Sequence, residues 1–273
     1  MPDLRVLSLD VSDHVATLTL DRPDALNAMG PAFFEELPAA MTAIEEAKDV
    51  RVVLLQAAGR AFCAGLDLKQ MGPEILQGEP DASPVQQRAA LRDTIRSMQA
   101  AITSVAECRV PVIAAIQGPC IGGAIDLISA CDIRLATTDA TFSVRETRMA
   151  MVADLGTLQR LPQILPDGYV AELVYTGKDV SGQRAAEMGL VNRVVDTPEA
   201  LQEAAREMAQ QIAANSPLAV EGAKHVLRKS RTQSVEEGLS YVATWNAAFL
   251  QSQDLVEAFE AFTSKREPTF TGS

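Results

Sequence analysis

The chain has 273 residues, of which 47% are hydrophobic and 22% are charged, a mix typical of one large globular domain or of one domain with an appendage. Asp and Glu (36) outnumber Lys and Arg (24), so the formal charge is −12 at pH 7. This balance argues against a nucleic-acid partner, because phosphate binding needs a basic face. The two histidines, His14 and His225, are too few for a histidine-rich metal site.

The first half of the chain alternates short strand-like runs with helical stretches. Side chains follow a period of two over Val6–Val11 and again over Val15–Leu20, which predicts a hairpin. A turn-rich segment, Asp21–Asp24, precedes a predicted helix that extends to about Lys48. The segment Gly72–Pro84 is rich in Gly, Pro and Asp, and we expect it to form a mobile loop.

Continuous apolar runs of strand length predict strands that are buried on both faces of a sheet. The predicted buried strands are Val50–Gln56 and Pro111–Gln117, the further strands are Asp132–Ala136, Thr141–Val144 and Leu190–Val195, and the intervening helices are Gln86–Cys108 and Gly122–Ala130. From Thr197 onward the pattern is helical only, with N-cap signals at Thr197 and Ser216 and a capping box from Ser234 to Glu237. The sequence therefore predicts an α/β body over residues 1–200 and a helical region over residues 201–273.

Three features of the chain bear on its cellular compartment. The four cysteines include no C-x-x-C pair, which indicates reduced thiols. Met1–Arg5 lacks the apolar core of a signal peptide and the acid-poor character of a transit peptide. The longest apolar run, near Val110–Ile116, is far shorter than the roughly 20 residues that span a bilayer. We therefore predict a cytoplasmic protein without a membrane partner.

Two glycine-containing turns directly follow the predicted buried strands, over Ala61–Leu68 and Gly118–Ala124. A strand, a glycine turn and a helix in succession expose backbone N–H groups that can bind an anion or an oxyanion. The alternative is that these glycines only close tight turns. The chain has no G-x-S-x-G, P-loop or G-x-G-x-x-G motif, which argues against a serine hydrolase, a P-loop nucleotidase and a Rossmann dehydrogenase.

Three acidic residues, Asp126, Glu146 and Asp154, follow the second turn in largely apolar surroundings. Each has a structural alternative: a helix-dipole partner for Asp126, an exposed ion pair for Glu146, and an N-cap for Asp154. Buried carboxyl groups have raised pKa values, and such groups near an oxyanion site are suited to proton transfer next to a carbonyl.

The turns and the acids together resemble the crotonase (enoyl-CoA hydratase/isomerase) superfamily over nearly the whole chain. The matching segments are Asp21–Pro23, Leu26–Met29, Phe62–Leu68 and Ile121–Gly123. Within the superfamily the sequence is most similar to Δ3,5-Δ2,4-dienoyl-CoA isomerases. That likeness is carried by Cys120–Gly123, Asp126–Leu127, Ala130–Arg134, Ala153–Pro162, Tyr241–Asn246, Leu250–Gln251 and Gln253–Val256.

The resemblance implies an α/β fold, a crotonase-like spiral of ββα units with a C-terminal helical trimerisation region. It assigns the thioester oxygen to the backbone N–H groups of Ala64 and Gly123. Glu146 and Asp126 fall at the two positions where hydratases carry glutamates, and Asp154 matches an acid specific to the isomerases. The implied substrate-binding residues are Ala64, Gly65, Leu66, Asp67, Leu68, Gly122 and Gly123.

The implied activity shifts the double bonds of a 3,5-dienoyl-CoA to a 2,4-dienoyl-CoA in fatty acid β-oxidation. It needs no metal and no cofactor, since coenzyme A is part of the substrate. The resemblance also implies a homotrimer or homohexamer, with the region 201–273 covering the pocket. Two alternatives remain: an enoyl-CoA hydratase that adds water to a 2-enoyl-CoA, and a non-catalytic scaffold with the same fold.

Overall fold

The computed structural model describes residues 2–77 and 82–273, which form two β-sheets surrounded by helices. The strands are β1 (Leu7–Ser12), β2 (Val15–Leu20), β3 (Val52–Ala57), β4 (Val112–Ile116), β5 (Pro119–Ile121), β6 (Ile133–Thr137), β7 (Thr141–Ser143), β8 (Val180–Ser181) and β9 (Arg193–Val195). The helices are α1 (Pro31–Glu46), α2 (Leu68–Gln77), α3 (Pro84–Glu107), α4 (Gly123–Ala130), α5 (Thr157–Arg160), α6 (Asp167–Thr176), α7 (Gly182–Met188), α8 (Pro198–Ala213), α9 (Pro217–Ser230), α10 (Val235–Phe249) and α11 (Gln253–Ser264).

The larger sheet has six strands in the order β1-β2-β3-β4-β6-β9. The predicted hairpin is confirmed, because β1 and β2 pair antiparallel, and every other pair in this sheet is parallel. Both faces of the sheet are covered. Val52 and Leu54 face α8 on one side, whereas Val53 and Leu55 belong to the main core on the other side. This double burial explains why the central strands are apolar without interruption.

The smaller sheet has the order β5-β7-β8, and it positions the candidate site. Strands β5 and β7 run parallel, with Ile121 opposite Ser143. The turn that follows β5 therefore lies beside the segment that follows β7. Strands β5 and β8 have only three and two residues. They contain too few side chains for a periodic pattern, so the sequence does not predict them.

The segment Gly72–Pro84 was expected to be a loop, and this prediction is wrong for part of its length. Residues 72–77 belong to helix α2, and Pro84 is the first residue of α3. Asp67 accepts hydrogen bonds from the backbone N–H groups of Lys69 and Gln70, so it stabilises the first turn of α2. Residues 78–81 of the predicted loop lie outside the described residues.

The C-terminal helices begin at the predicted caps. The hydroxyl groups of Thr197, Ser216 and Ser234 accept backbone hydrogen bonds at the starts of α8, α9 and α10. Helix α8 crosses the predicted division at residue 200 and packs against β3, β4 and β6, whereas α10 has no buried residue. Within the described part of the chain, no helix combines the length and the apolar character needed to cross a bilayer.

Candidate active site

A network around Asn27 holds the first glycine turn in place. The Asn27 side chain accepts a hydrogen bond from the N–H of Arg22 and donates to the carbonyl groups of Ala58 and Ala61. Asn27 is buried and has a φ of 55°, a left-handed conformation that asparagine tolerates better than most residues. The segment Leu26–Met29 is therefore a support for the turn.

The two glycine turns lie against each other. Cys63 donates a backbone hydrogen bond to Pro119 and accepts one from Ile121, both at 3.0 Å. A Cβ atom on Gly65 would lie 2.6 Å from the carbonyl oxygen of Ile121, and the φ of Gly65 is 90°. Only glycine fits such a close approach of two backbones in this conformation. The turns therefore form one site.

The backbone hydrogen bonds show which N–H groups this site offers. The N–H of Ala64 donates to the carbonyl of Leu26 at 3.0 Å, so the donor predicted from the sequence is already occupied. The N–H of Met29 donates to the carbonyl of Gly65, and the carbonyl of Met29 accepts from the N–H of Asp67. Both bonds lie on the side of the turn that faces Met29, so the N–H of the intervening Leu66 points away from Met29.

The N–H groups of Leu66 and Gly123 lie on neighbouring backbone segments. A Cβ atom on Gly123 would lie 3.9 Å from the nitrogen of Leu66. Neither N–H has an acceptor within residues 2–77 and 82–273, and Gly123 is the first residue of α4, where the helix supplies no acceptor. The structure therefore corrects the expected pair from Ala64 and Gly123 to Leu66 and Gly123.

Glu146 lies beside the second turn because of the register of β5 and β7. Gly122 donates its N–H to the carbonyl of Ser143 at 2.9 Å, and a Cβ atom on Gly122 would lie 3.4 Å from Oε1 of Glu146. Oε2 of Glu146 is buried and has no partner among the described residues. Arg145 pairs with Asp179 instead. The alternative interpretation of Glu146 as half of a surface ion pair is therefore wrong.

Asp126 connects the second turn to the segment that carries Asp154. It lies in the first turn of α4 and is 1% exposed. Its Oδ1 accepts a hydrogen bond of 2.6 Å from the N–H of Thr157, the first residue of α5. Asp126 therefore satisfies a free N–H at the start of a second helix, a role that needs tertiary structure to be recognised.

Asp154 differs from the other two acids because its side chain is exposed in the single chain. The expectation of an apolar, buried setting is therefore wrong for this side chain. It is also not an N-cap, since Gly156 occupies that position of α5. The backbone carbonyl of Asp154 accepts a hydrogen bond of 2.6 Å from Nε2 of Gln99 on α3.

The three carboxyl groups are electrostatically coupled, and all three have raised pKa values. Burial raises the pKa of Asp126 to about 7, against an opposing hydrogen bond from Thr157. Glu146 and Asp154 add to the rise through charge repulsion. Burial also raises the pKa of Glu146, with a further contribution from Asp154, and partial burial raises that of Asp154. Such a set holds fewer than three negative charges near neutral pH.

The remaining predicted binding residues have structural partners or face solvent. Asp67 forms an ion pair of 3.0 Å with Arg22. Gly65 bonds to the Sγ of Cys63 through its N–H, and Leu68 is the exposed first residue of α2. Three further residues, Gln99, Thr157 and Arg160, contact the acid-bearing segments. Thr157 and Arg160 lie in the matching segment Ala153–Pro162 but were given no role, and Gln99 lies outside every matching segment.

Known proteins are similar to this chain over nearly its full length. The family model for "Enoyl-CoA hydratase/isomerase" matches residues 10–273. The chain belongs to the enoyl-CoA hydratase/isomerase family. It is 45% identical over 267 residues to the peroxisomal Delta(3,5)-Delta(2,4)-dienoyl-CoA isomerase of Arabidopsis thaliana, covering 98% of this chain and 96% of that protein. The mitochondrial enzyme of the same name from Dictyostelium discoideum is 40% identical over 270 residues, with coverage of 98% and 92%.

The crystal structure of the enoyl-CoA hydratase from Bacillus anthracis superimposes with a TM-score of 0.89. It is 34% identical and the match covers 98% of this chain and all of that one. The predicted crotonase fold is therefore confirmed.

The predicted cytoplasmic location is wrong, because the similar isomerases are named as peroxisomal and mitochondrial. Reduced thiols, on which that prediction partly rested, do not separate the cytosol from such organelles.

Proposed function

We propose that this protein is an isomerase that converts 3,5-dienoyl-CoA thioesters to 2,4-dienoyl-CoA thioesters in fatty acid oxidation. The observation that carries the proposal is the set of three interacting acids beside the N–H groups of Leu66 and Gly123, which have no acceptor in the described part of the chain. The isomerase names of the relatives from Arabidopsis and Dictyostelium support it.

The reaction removes one proton from the acyl chain and adds another at a different carbon of the same conjugated system. A base removes a proton from C2, the negative charge spreads over the thioester oxygen and along the chain to C6, and an acid delivers a proton to C6. The N–H groups of Leu66 and Gly123 donate to the developing enolate oxygen. Removal of comparable donors in other enzymes costs about 3 kcal/mol of transition-state stabilisation.

Two carboxyl groups serve the two distant carbons. Glu146 acts at C2, because it lies against Gly122, next to the N–H group that binds the thioester oxygen. Asp154 acts at C6, farther along the chain and closer to solvent. Asp126, which is buried and has a pKa near neutrality, interacts with both acids, shares the proton and tunes both partners. No metal or cofactor takes part, since coenzyme A belongs to the substrate.

The chain assembles as a homotrimer or homohexamer through its C-terminal helices. Large apolar side chains on α10 and α11 are exposed in the single chain, among them Leu239, Phe259 and Phe262. Exposed apolar surface of this kind is typical of protein interfaces. Analytical ultracentrifugation of the purified protein tests this assembly.

The isomerase function is tested by mixing the pure protein with a 3,5-dienoyl-CoA in deuterated water. We expect a rise in absorbance at longer wavelength, because the product diene is conjugated with the thioester, and deuterium at C6. Hydration of crotonyl-CoA without any diene shift would overturn the proposal in favour of a hydratase. Absence of both reactions in protein that binds acyl-CoA would favour the scaffold.

The oxyanion site is tested by comparing Gly123→Pro with Gly123→Ala. Both variants add a Cβ atom, which would press on the flexible Sδ of Met29 at 3.2 Å. Only proline removes the N–H, and proline is tolerated at the first position of a helix. We expect kcat to fall about 10²–10³-fold in Gly123→Pro and much less in Gly123→Ala. Equal losses in steady-state kinetics would contradict an oxyanion role for this N–H.

A further inference from the structure

Two hydrogen bonds tie the segment that carries Asp154 to helix α3, and a third holds Arg160 against the segment itself. Besides the bond from Gln99 to the carbonyl of Asp154, Nη1 of Arg160 donates to the carbonyl of Leu155 at 3.1 Å. Nη2 of the same guanidinium group donates to Oγ1 of Thr103 on α3 at 2.9 Å. Arg160 thus joins the backbone next to Asp154 to a long helix through a planar group whose donors have a fixed geometry.

Gly156 makes room for this guanidinium group. Its φ is 128°, and a Cβ atom at this position would overlap Nη1 of Arg160. The arginine therefore lies directly over the turn between Asp154 and α5. The spacing of Gly156 and Arg160 within the Ala153–Pro162 segment has a physical cause, because the glycine is needed for the arginine to fold back onto its own turn.

Arg160 also contributes charge to the acid cluster. It is half-buried, and its guanidinium group and the carboxylate of Asp126 attract each other. The other charged or titratable groups facing Arg160 are Glu107 at the end of α3, Cys131 after α4 and Arg231 after α9. The groups facing Asp126 with the same sign of charge are Glu146 and Asp154.

From these contacts we infer that Arg160 is a positioning residue for the isomerase reaction: it holds the Asp154 segment against α3 and favours the carboxylate form of Asp126, which is bonded to the first residue of the same short helix. The inference rests on the proposed function. A positive charge beside a carboxylate stabilises its ionised form, so Arg160 favours the ionised form of Asp126 against the repulsion from Glu146 and Asp154. Its two hydrogen bonds fix the backbone on which the acid for C6 is carried.

The test compares Arg160→Gln, Arg160→Lys and wild type over a range of pH. In Arg160→Gln the pKa of Asp126 rises, so the limb of the pH profile of kcat that reports Asp126 moves to higher pH. Loss of positioning lowers kcat by about 10²-fold, and KM changes little because Arg160 makes no proposed contact with the substrate. Arg160→Lys keeps the charge but not the planar pair of donors. We therefore expect its pH profile to lie at the wild-type position, while kcat recovers only in part.

Arg184→Gln is the matched control, since Arg184 lies on α7 in an exposed pair with Glu187 and its loss changes the net charge equally. We expect it to leave the pH profile at the wild-type position. If Arg160→Gln lowers only the free energy of unfolding and leaves the pH profile unchanged, the role is structural and the inference is overturned.

A readout that needs no activity separates this inference from the proposed function. ¹³C NMR titration of the Asp carboxyl groups, with Asp126 assigned by its absence in Asp126→Asn, reports the pKa of Asp126 directly. We expect an upward shift in Arg160→Gln and little shift in Arg160→Lys. An unchanged pKa would overturn the electrostatic part, whereas a shifted pKa in a protein that isomerises no diene would overturn the proposed function alone.

Discussion

Asp154→Asn is expected to lower the turnover of 3,5-dienoyl-CoA by about 10²–10⁴-fold, the contribution typical of a positioned acid or base. Asparagine has nearly the same shape but cannot deliver a proton to C6. Because the Asp154 side chain is exposed, we expect the fold and the affinity for acyl-CoA to change little. Stopped-flow absorbance gives the rate, and calorimetric titration with a saturated acyl-CoA gives the affinity.

A matched control for this variant is Asp139→Asn, which neutralises an exposed acid in the turn between β6 and β7. Its turnover should equal that of wild type. Wild-type turnover by Asp154→Asn would remove Asp154 from the reaction. A variant that still exchanges the C2 proton with solvent deuterium, but forms no 2,4-diene, would support the assignment of Glu146 to C2 and of Asp154 to C6.

Asp126→Asn is expected to stabilise the folded protein at neutral and alkaline pH while impairing catalysis. Below about pH 4, Asp126 is protonated in both the folded and the unfolded chain. Between about pH 4 and 7 only the unfolded chain releases the proton, because burial raises the pKa in the folded chain to about 7. The free energy of unfolding of wild type therefore falls over this interval, by about 4 kcal/mol in total at 1.36 kcal/mol per pKa unit.

Asparagine removes this dependence, and its Oδ1 still accepts the hydrogen bond from Thr157. In urea unfolding from pH 4 to 9, the free energy of unfolding of Asp126→Asn should increase relative to that of wild type as the pH rises. Glu36→Gln is the control of opposite sign, because Glu36 accepts N–H groups from Arg5, Val6 and Leu7 and its pKa is lowered. It should destabilise the protein at neutral pH, with the loss fading at acid pH. A flat difference between wild type and Asp126→Asn across the range would contradict the raised pKa.

The opposite responses expected for Asp126 and Glu36 follow from the different surroundings of these two buried acids. Glu36 is ionised and held by three backbone N–H groups, so its negative charge contributes to stability. Asp126 receives one such bond and faces two further carboxyl groups, so its charge is costly. The formal charge of −12 is thus an upper limit on the negative charge of the folded chain near neutral pH.

Local signals in the sequence were sufficient for most secondary structure. The hairpin, the buried strands and the caps at Thr197, Ser216 and Ser234 depend on neighbouring residues, on side-chain period and on burial. The helix over Leu68–Gln77 was missed because its glycine and proline suggested a loop. Its first turn is stabilised by Asp67, whose position in turn depends on Arg22, 45 residues earlier in the chain.

The sequence by itself determined the residue types of the site: two glycine turns after buried strands and three acids after the second turn. Tertiary structure decided which groups are free to act. Ala64 and Leu66 differ by two positions, yet the N–H of Ala64 donates to the carbonyl of Leu26, whereas the N–H of Leu66 has no acceptor among the residues that the structure describes. Likewise, the pKa of Asp126 depends on burial and on charges from other segments. Hydrogen-bond partners and desolvation are properties of contacts between distant parts of the chain, which no local pattern contains.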